Sequence, residues 1–181
     1  NRDEFENRLE RVLESAKKNL GTHALCFIDL DQFKVVNDTS GHVAGDQLLR
    51  ELASLLKRQI RTHDILARIG GDEFGILLEH CEPDQAKFSM ENIRRVIEEF
   101  QFEWQERIYK ISASIGIAVI NEDAQNATEV MKQADLACYA AKDRGRNQVH
   151  FYDSGNQQMS MREGEMHLVS EISSALKENR F

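Results

Sequence analysis

The stretch Arg68-Ile69-Gly70-Gly71-Asp72-Glu73-Phe74 sets two carboxylates directly after two glycines, between the apolar runs Ile65–Ala67 and Phe74–Leu78. Gly-Gly tolerates positive φ at both central positions of a tight turn, which predicts a β-hairpin. Its tip presents acids beside backbone small enough to admit a phosphate. That suits a divalent cation holding a nucleoside triphosphate. An ordinary polar hairpin tip has the same composition, so the chemistry requires another acid to converge on it. Asp29 is the candidate, closing the apolar run Ala24–Ile28, the pattern of a central strand covered on both faces. Taken alone, Asp29 also fits a turn or helix cap. If two antiparallel strands bring Asp29 beside Asp72 and Glu73, the like charges repel unless a cation lies between them. An all-oxygen site with open positions is what Mg²⁺ prefers.

Two further constellations have the right chemistry. In the segment Lys34–Asp46, Asn37 offers a donor and an acceptor and Asp46 offers acceptors only. A carboxylate facing the N1–H and N2–H₂ donors of guanine selects it over adenine. The plainer alternative makes Asn37–Gly41 a turn and Asp46 a first-turn helix acid. Further on, Lys142-Asp143-Arg144-Gly145-Arg146-Asn147 ends a helical pattern. Cations there offset a helix dipole and Gly145 suits the stop. Lys142 and Arg146, four apart, also have the spacing to clamp phosphates.

These residues need a scaffold. The chain has 181 residues, with 30% charged and 41% hydrophobic, enough for one domain with a real core. A formal net charge of −8 argues against a nucleic-acid groove or an anionic membrane as the main partner. Cys26, Cys81 and Cys138 are scattered and read as reduced core fillers in a cytosolic protein. No apolar run is of membrane-spanning length and no signal peptide is visible.

Helical spacing marks Phe5–Ala16, residues 43–60, the stretch after Pro83 and Ala127–Ala141, with Gly21 as a stop for the first. Strands are expected at 24–28, 65–69, 74–78, 111–119 and 148–152, with a short excursion hairpin at 102–109. The fold class is α/β (an α+β sandwich): a central, mostly antiparallel sheet flanked by helices. Residues 1–153 form this domain, and 154–181 read as a linker plus one outlying helix.

The motifs resemble those of the GGDEF family, the diguanylate cyclases. Asp-Leu-Asp-x-Phe-Lys-x-x-Asn-Asp-x-x-Gly-His-x-x-Gly-Asp at Asp29–Asp46, Gly-Gly-Asp-Glu-Phe at Gly70–Phe74 and Ala-Lys-x-x-Gly-Arg-Asn at Ala141–Asn147 follow the family's order and spacing. The resemblance implies the sheet shared by nucleotidyl cyclases and polymerase palms, and the condensation of two GTP into cyclic di-GMP with release of pyrophosphate. It implies two Mg²⁺ ions per site, with Mn²⁺ as a substitute, held by Asp29, Asp72, Glu73 and the Leu30 carbonyl. Glu73 would be the base for the attacking 3′-hydroxyl. Asn37 and Asp46 would read guanine, with Phe33 and His42 shaping the pocket. Lys34, Lys142 and Arg146 would hold phosphates at the Gly70-Gly71 tip. Each domain would hold one GTP, so a homodimer is the expected active species.

Arg61-Thr62-His63-Asp64 stands at the spacing of the family's R-x-x-D inhibitory site, although such a pair is also common as a plain salt bridge. It implies that cyclic di-GMP binds back and inhibits. The family's usual lead-in is matched only from Asn1-Arg2 and Phe5 onward, so an incomplete first turn is expected. Glu165–Val169 and Ala175–Phe181 resemble the opening helix of an EAL phosphodiesterase domain, which implies a tandem GGDEF–EAL parent. Cytoplasmic placement follows from the resemblance, with inner-membrane anchoring of the parent left open. The alternative is a GTP-binding regulatory module controlling that EAL domain.

Overall fold

The computed structural model describes residues 2–154; the expected linker and EAL-like helix fall outside the described residues, except for Ser154. A five-stranded sheet has the order β2-β3-β1-β6-β7. Its strands are β1 (His23–Asp31), β2 (Ile65–Arg68), β3 (Glu73–Leu78), β6 (Ser112–Ile120) and β7 (Val149–Phe151). All pairings are antiparallel except β6 with β7. The excursion forms its own two-stranded sheet from β4 (Gln101–Trp104) and β5 (Arg107–Lys110).

Strand alternation divides the residues between two layers. Ala24, Cys26, Ile28 and Leu30 of β1 enter a core with α2 (Phe33–Ser40), α3 (His42–Lys57) and α4 (Pro83–Glu99). Leu25, with Leu77, Ala118 and Ile120, faces α1 (Arg2–Lys17) and α5 (Ala127–Asp143). The odd positions Asp29 and Asp31 continue that second face. Pro83 occupies the first turn of α4 behind an N-cap at Glu82, as proline's missing N–H favours. All three cysteines are free and buried. No helix among the described residues is long and apolar enough to cross a membrane.

Three local expectations are corrected. Gly70 and Gly71 do not take the left-handed conformation; among the described glycines only Gly21, Gly41 and Gly145 have positive φ. The hairpin link is longer than a two-residue turn, running from Arg68 to Glu73, with the Ile69 N–H closing on the Glu73 carbonyl at 2.9 Å. Arg68 then donates to the Gly70 and Gly71 carbonyls at 2.8–3.1 Å. The Asn37–Ser40 stretch is the end of α2 and not a turn; Phe33 and Val36, one helical turn apart, bury its inner face. The stop after α1 is Asn19 at φ 57, two residues before Gly21.

Gly116 sets the distance between β6 and α5. A Cβ there would lie 2.2 Å from the Ala134 carbonyl oxygen and the Cys138 nitrogen. These are backbone atoms, so α5 itself would have to move. Gly116→Ala is expected to lower stability by about 2 kcal/mol, read as a fall in the urea midpoint at constant slope. An unchanged midpoint would mean that α5 does not pack this closely.

Candidate active site

The antiparallel register of β1 and β3 places Asp29 directly opposite Glu73. Both are odd-numbered and opposed, so they share the face covered by α5. Next to them the Leu30 N–H donates to the Asp72 carbonyl at 3.1 Å. The acids at the end of β1 and those after the double glycine therefore meet. Gly70 keeps the space open: a Cβ there would lie 2.8 Å from Glu73 Oε2.

Lys142, in the last turn of α5, donates its Nζ to Asp29 Oδ2. Burial raises the Asp29 carboxyl to about 6, and the charges of Asp72 and Glu73 push it the same way, against the hydrogen bond and charge of Lys142. For Lys142, burial pulls the ammonium down, but the hydrogen bond and charge of Asp29, aided by Asp72, leave it raised. One ammonium thus sits among three acids. Among the described residues no three acidic, His or Cys side chains group to hold a metal unaided. The donors still fit Mg²⁺, which takes one or two carboxylates and completes its shell from substrate phosphates and water.

The remaining sequence candidates divide. Asn37 and Phe33 on α2 lie over Gly45 of α3, where a Cβ would come 1.9 Å from Asn37 Oδ1 and 3.1 Å from Phe33 Cζ. Asp46, one residue on and exposed, lines a cavity of about 1000 Å³ with Leu49, Arg50 and Phe74. Lys34 and His42 are exposed at the starts of α2 and α3. Arg146 is exposed at φ 64 just past α5.

Arg61 and Asp64 form a bidentate pair at 3.0 and 3.1 Å. Arg61 Nη2 also donates to the Glu79 carbonyl at 2.7 Å, and the Glu79 side chain accepts from Arg8 of α1.

Sequence reasoning gave no role to Asp31. It is 4% exposed and accepts from Ser112 at 2.6 Å, Ser114 at 2.8 Å and the Asn147 N–H at 3.1 Å. Asn147 in turn bonds Arg94 and Glu98 of α4. This bracket ties the loop carrying Arg146 to β1 and β6. The available signal was Asp-x-Asp at the end of one strand and Ser-x-Ser at the start of another, both at strand period.

The family described as "Diguanylate cyclase, GGDEF domain" matches residues 1–148. The chain is 48% identical over 153 residues to the probable diguanylate cyclase DgcE of Escherichia coli K12, covering 84% of this chain and 14% of that protein. It is 43% identical over 155 residues to the bifunctional diguanylate cyclase/cyclic di-GMP phosphodiesterase MucR of Pseudomonas aeruginosa, covering 85% and 22%. The GGDEF domain of DgcB from Caulobacter crescentus, crystallised in complex with c-di-GMP, superposes with a TM-score of 0.79 at 31% identity, covering 84% of this chain and 95% of that one. The chain thus spans less than a quarter of the length of these curated relatives.

The sign of the Asp29 shift gives a test. A carboxyl raised above its ordinary 3.8 to about 6 binds its proton more tightly in the native state. That contribution to stability is full below pH 4 and is lost as the pH rises through 6. Lys142 opposes the rise, so Lys142→Met is expected to move the metal-free Asp29 midpoint above 6. Carboxyl ¹³C NMR titration reads it; a midpoint that stays or falls would contradict the pairing.

Proposed function

Because the chain belongs to the diguanylate cyclase GGDEF domain family, we propose that it condenses two GTP molecules into cyclic di-GMP with release of two pyrophosphates. The observation that carries this reading is the Asp29–Glu73 juxtaposition, with Asp72 adjacent and the Asp29 carboxyl lifted to about 6. Such crowded negative charge is relieved by cations.

Cyclases of this family depend on a divalent metal. Asp29, Asp72, Glu73 and the Leu30 carbonyl are the groups to hold two Mg²⁺, or Mn²⁺ in their place. When bound, the ions supply charge neutralisation for the triphosphate and acidify the attacking hydroxyl. The chain's own residues do the rest. Glu73 accepts the proton of the 3′-hydroxyl as its oxygen attacks the α-phosphorus and the bond to pyrophosphate breaks. Lys34, Lys142 and Arg146 hold the phosphates and the leaving charge, and the missing side chains of Gly70 and Gly71 let those phosphates approach the backbone. Asp46 accepts from guanine N1–H and N2–H₂, Asn37 reads the same base, and Phe33 and His42 bound the pocket. One domain holds one GTP, so closing the ring requires two copies face to face.

The Arg61–Asp64 pair is the product site in this reading. Cyclic di-GMP bound there feeds back on turnover. The second reading, a GTP-binding regulator of an adjoining phosphodiesterase domain, draws on the bifunctional relative, which joins both activities in one protein.

Incubating the purified chain with Mg²⁺ and GTP separates the two: accumulation of cyclic di-GMP supports the cyclase, and binding without product supports the regulator. Glu73→Gln is expected to slow product formation by at least about 100-fold while GTP binding survives; full activity would refute the base assignment. Arg61→Ala is expected to leave the initial rate near wild type and to abolish its decline with added cyclic di-GMP.

A further inference from the structure

Helix α5 needs one left-handed residue to end, and three follow it. The stop is complete at Gly145. Its N–H returns to the Lys142 carbonyl at 3.3 Å and the Arg146 N–H to the Ala141 carbonyl at 3.0 Å, the paired bonds that close a helix at a glycine of positive φ. Gly145 has φ 113, yet Arg146 follows at 64 and Asn147 at 50. Crowding of Cβ against the backbone disfavours both, and arginine more than asparagine, whose short amide tolerates that region. Strain of this kind persists where the surroundings over-determine it, and it gathers at ligand clamps.

The surroundings of this loop do over-determine it. The Arg146 carbonyl accepts from Gln148 Nε2 at 3.1 Å, and the Asn147 N–H donates to Asp31 Oδ2 at 3.1 Å. Asp31 is itself fixed by the hydroxyls of Ser112 and Ser114. Helix α4 grips the Asn147 carboxamide on both of its polar atoms. Oδ1 accepts from Arg94 Nη1 at 3.0 Å and Nδ2 donates to Glu98 Oε1 at 3.1 Å, while Arg94 closes the ring onto Glu98 at 2.9 Å. Arg146 itself is exposed. A loop that served only to leave α5 needs none of this, because Gly145 alone turns the chain. One strand also serves both cations. Lys142 meets Asp29, and two residues on, on the same face of β1, Asp31 holds the peptide that follows Arg146.

We propose that Asp31, with Arg94 and Glu98 acting through Asn147, is the positioning device for Arg146, fixing the left-handed backbone from which its guanidinium reaches the β- and γ-phosphates of the nucleotide. This rests on reading Lys142 and Arg146 as phosphate-holding residues and adds the residues that fix one cation against the other. Asp31, Arg94, Glu98 and Asn147 act on Arg146 and not on the nucleotide.

Calorimetric titration of the full chain in Mg²⁺ with two ligands tests it. α,β-Methylene GTP keeps the triphosphate and blocks release of pyrophosphate; GMP keeps the base, the ribose and the first phosphate. Arg146→Met is expected to weaken the triphosphate analogue about tenfold or more, the loss of a charged hydrogen bond, and GMP by less than about twofold. Asn147→Ala, which removes the amide and its tolerance of positive φ, is expected to weaken the analogue about fivefold with GMP again spared. Arg94→Met, a change on α4 that leaves the loop sequence intact, is expected to act in the same direction. In the double variant Asn147→Ala/Arg146→Met the analogue binds no more weakly than to Arg146→Met alone. Equal weakening of both ligands, no weakening, or a loss that persists once Arg146 is gone overturns the positioning role; with Arg146→Met still selective against the triphosphate, the phosphate reading stands. An Arg146→Met variant that binds the analogue like wild type, or a wild-type chain that binds neither ligand, overturns both.

Discussion

Two carboxylates directly opposed across an antiparallel pair are the constraint around which this domain is built. Asp29 and Glu73 share one face of the sheet because β1 and β3 pair in that register, and side chains opposite each other at this spacing cannot avoid interacting. Like charges there work against folding. Lys142 offsets part of the repulsion from the end of α5, and the Asp29 carboxyl stays raised, first by burial and then by the charges of Asp72 and Glu73. A site that holds residual negative charge before any ligand arrives is prepared for cations, and the cost is borne by the apolar layers on both sides of the sheet.

Those layers divide the work. The face covered by α2, α3 and α4 is almost wholly apolar and supplies stability. The opposite face is apolar under α1 and turns polar toward the ends of β1 and β3. There Gly116 lets α5 approach closely enough for Lys142 to meet Asp29. Asp31 then ties the following loop to two strands through Ser112, Ser114 and the Asn147 N–H. The basic loop is thereby fixed to β1, the strand that carries Asp29, and to its neighbour β6.

Much of this was legible in the sequence, for physical reasons that differ by element. The run Ala24–Ile28 and the alternation of Ile111–Val119 announced β1 and β6, because burial on both faces leaves a continuous apolar run and burial on one face leaves a period-2 record. The convergence of Asp29 with Asp72 and Glu73 followed from placing acids at strand ends. Helix α2 was not legible, since Asn-Asp-Thr-Ser-Gly is turn chemistry and only tertiary packing of Phe33 and Val36 makes it helical. The double glycine was read for backbone freedom, yet Gly70 matters for the side chain it lacks beneath Glu73. Asp31 was hidden because a buried acid is recognisable only through its partners, which lie more than eighty residues away.

The ion pair of Arg8 with Glu79 gives α1 a mechanical reach that its apolar face alone does not. Glu79 also supplies, through its backbone oxygen, one of the anchors of the Arg61 guanidinium. Glu79 therefore joins α1 to Arg61 through one side chain and one carbonyl, so a shift of α1 and the placement of that guanidinium share a single residue.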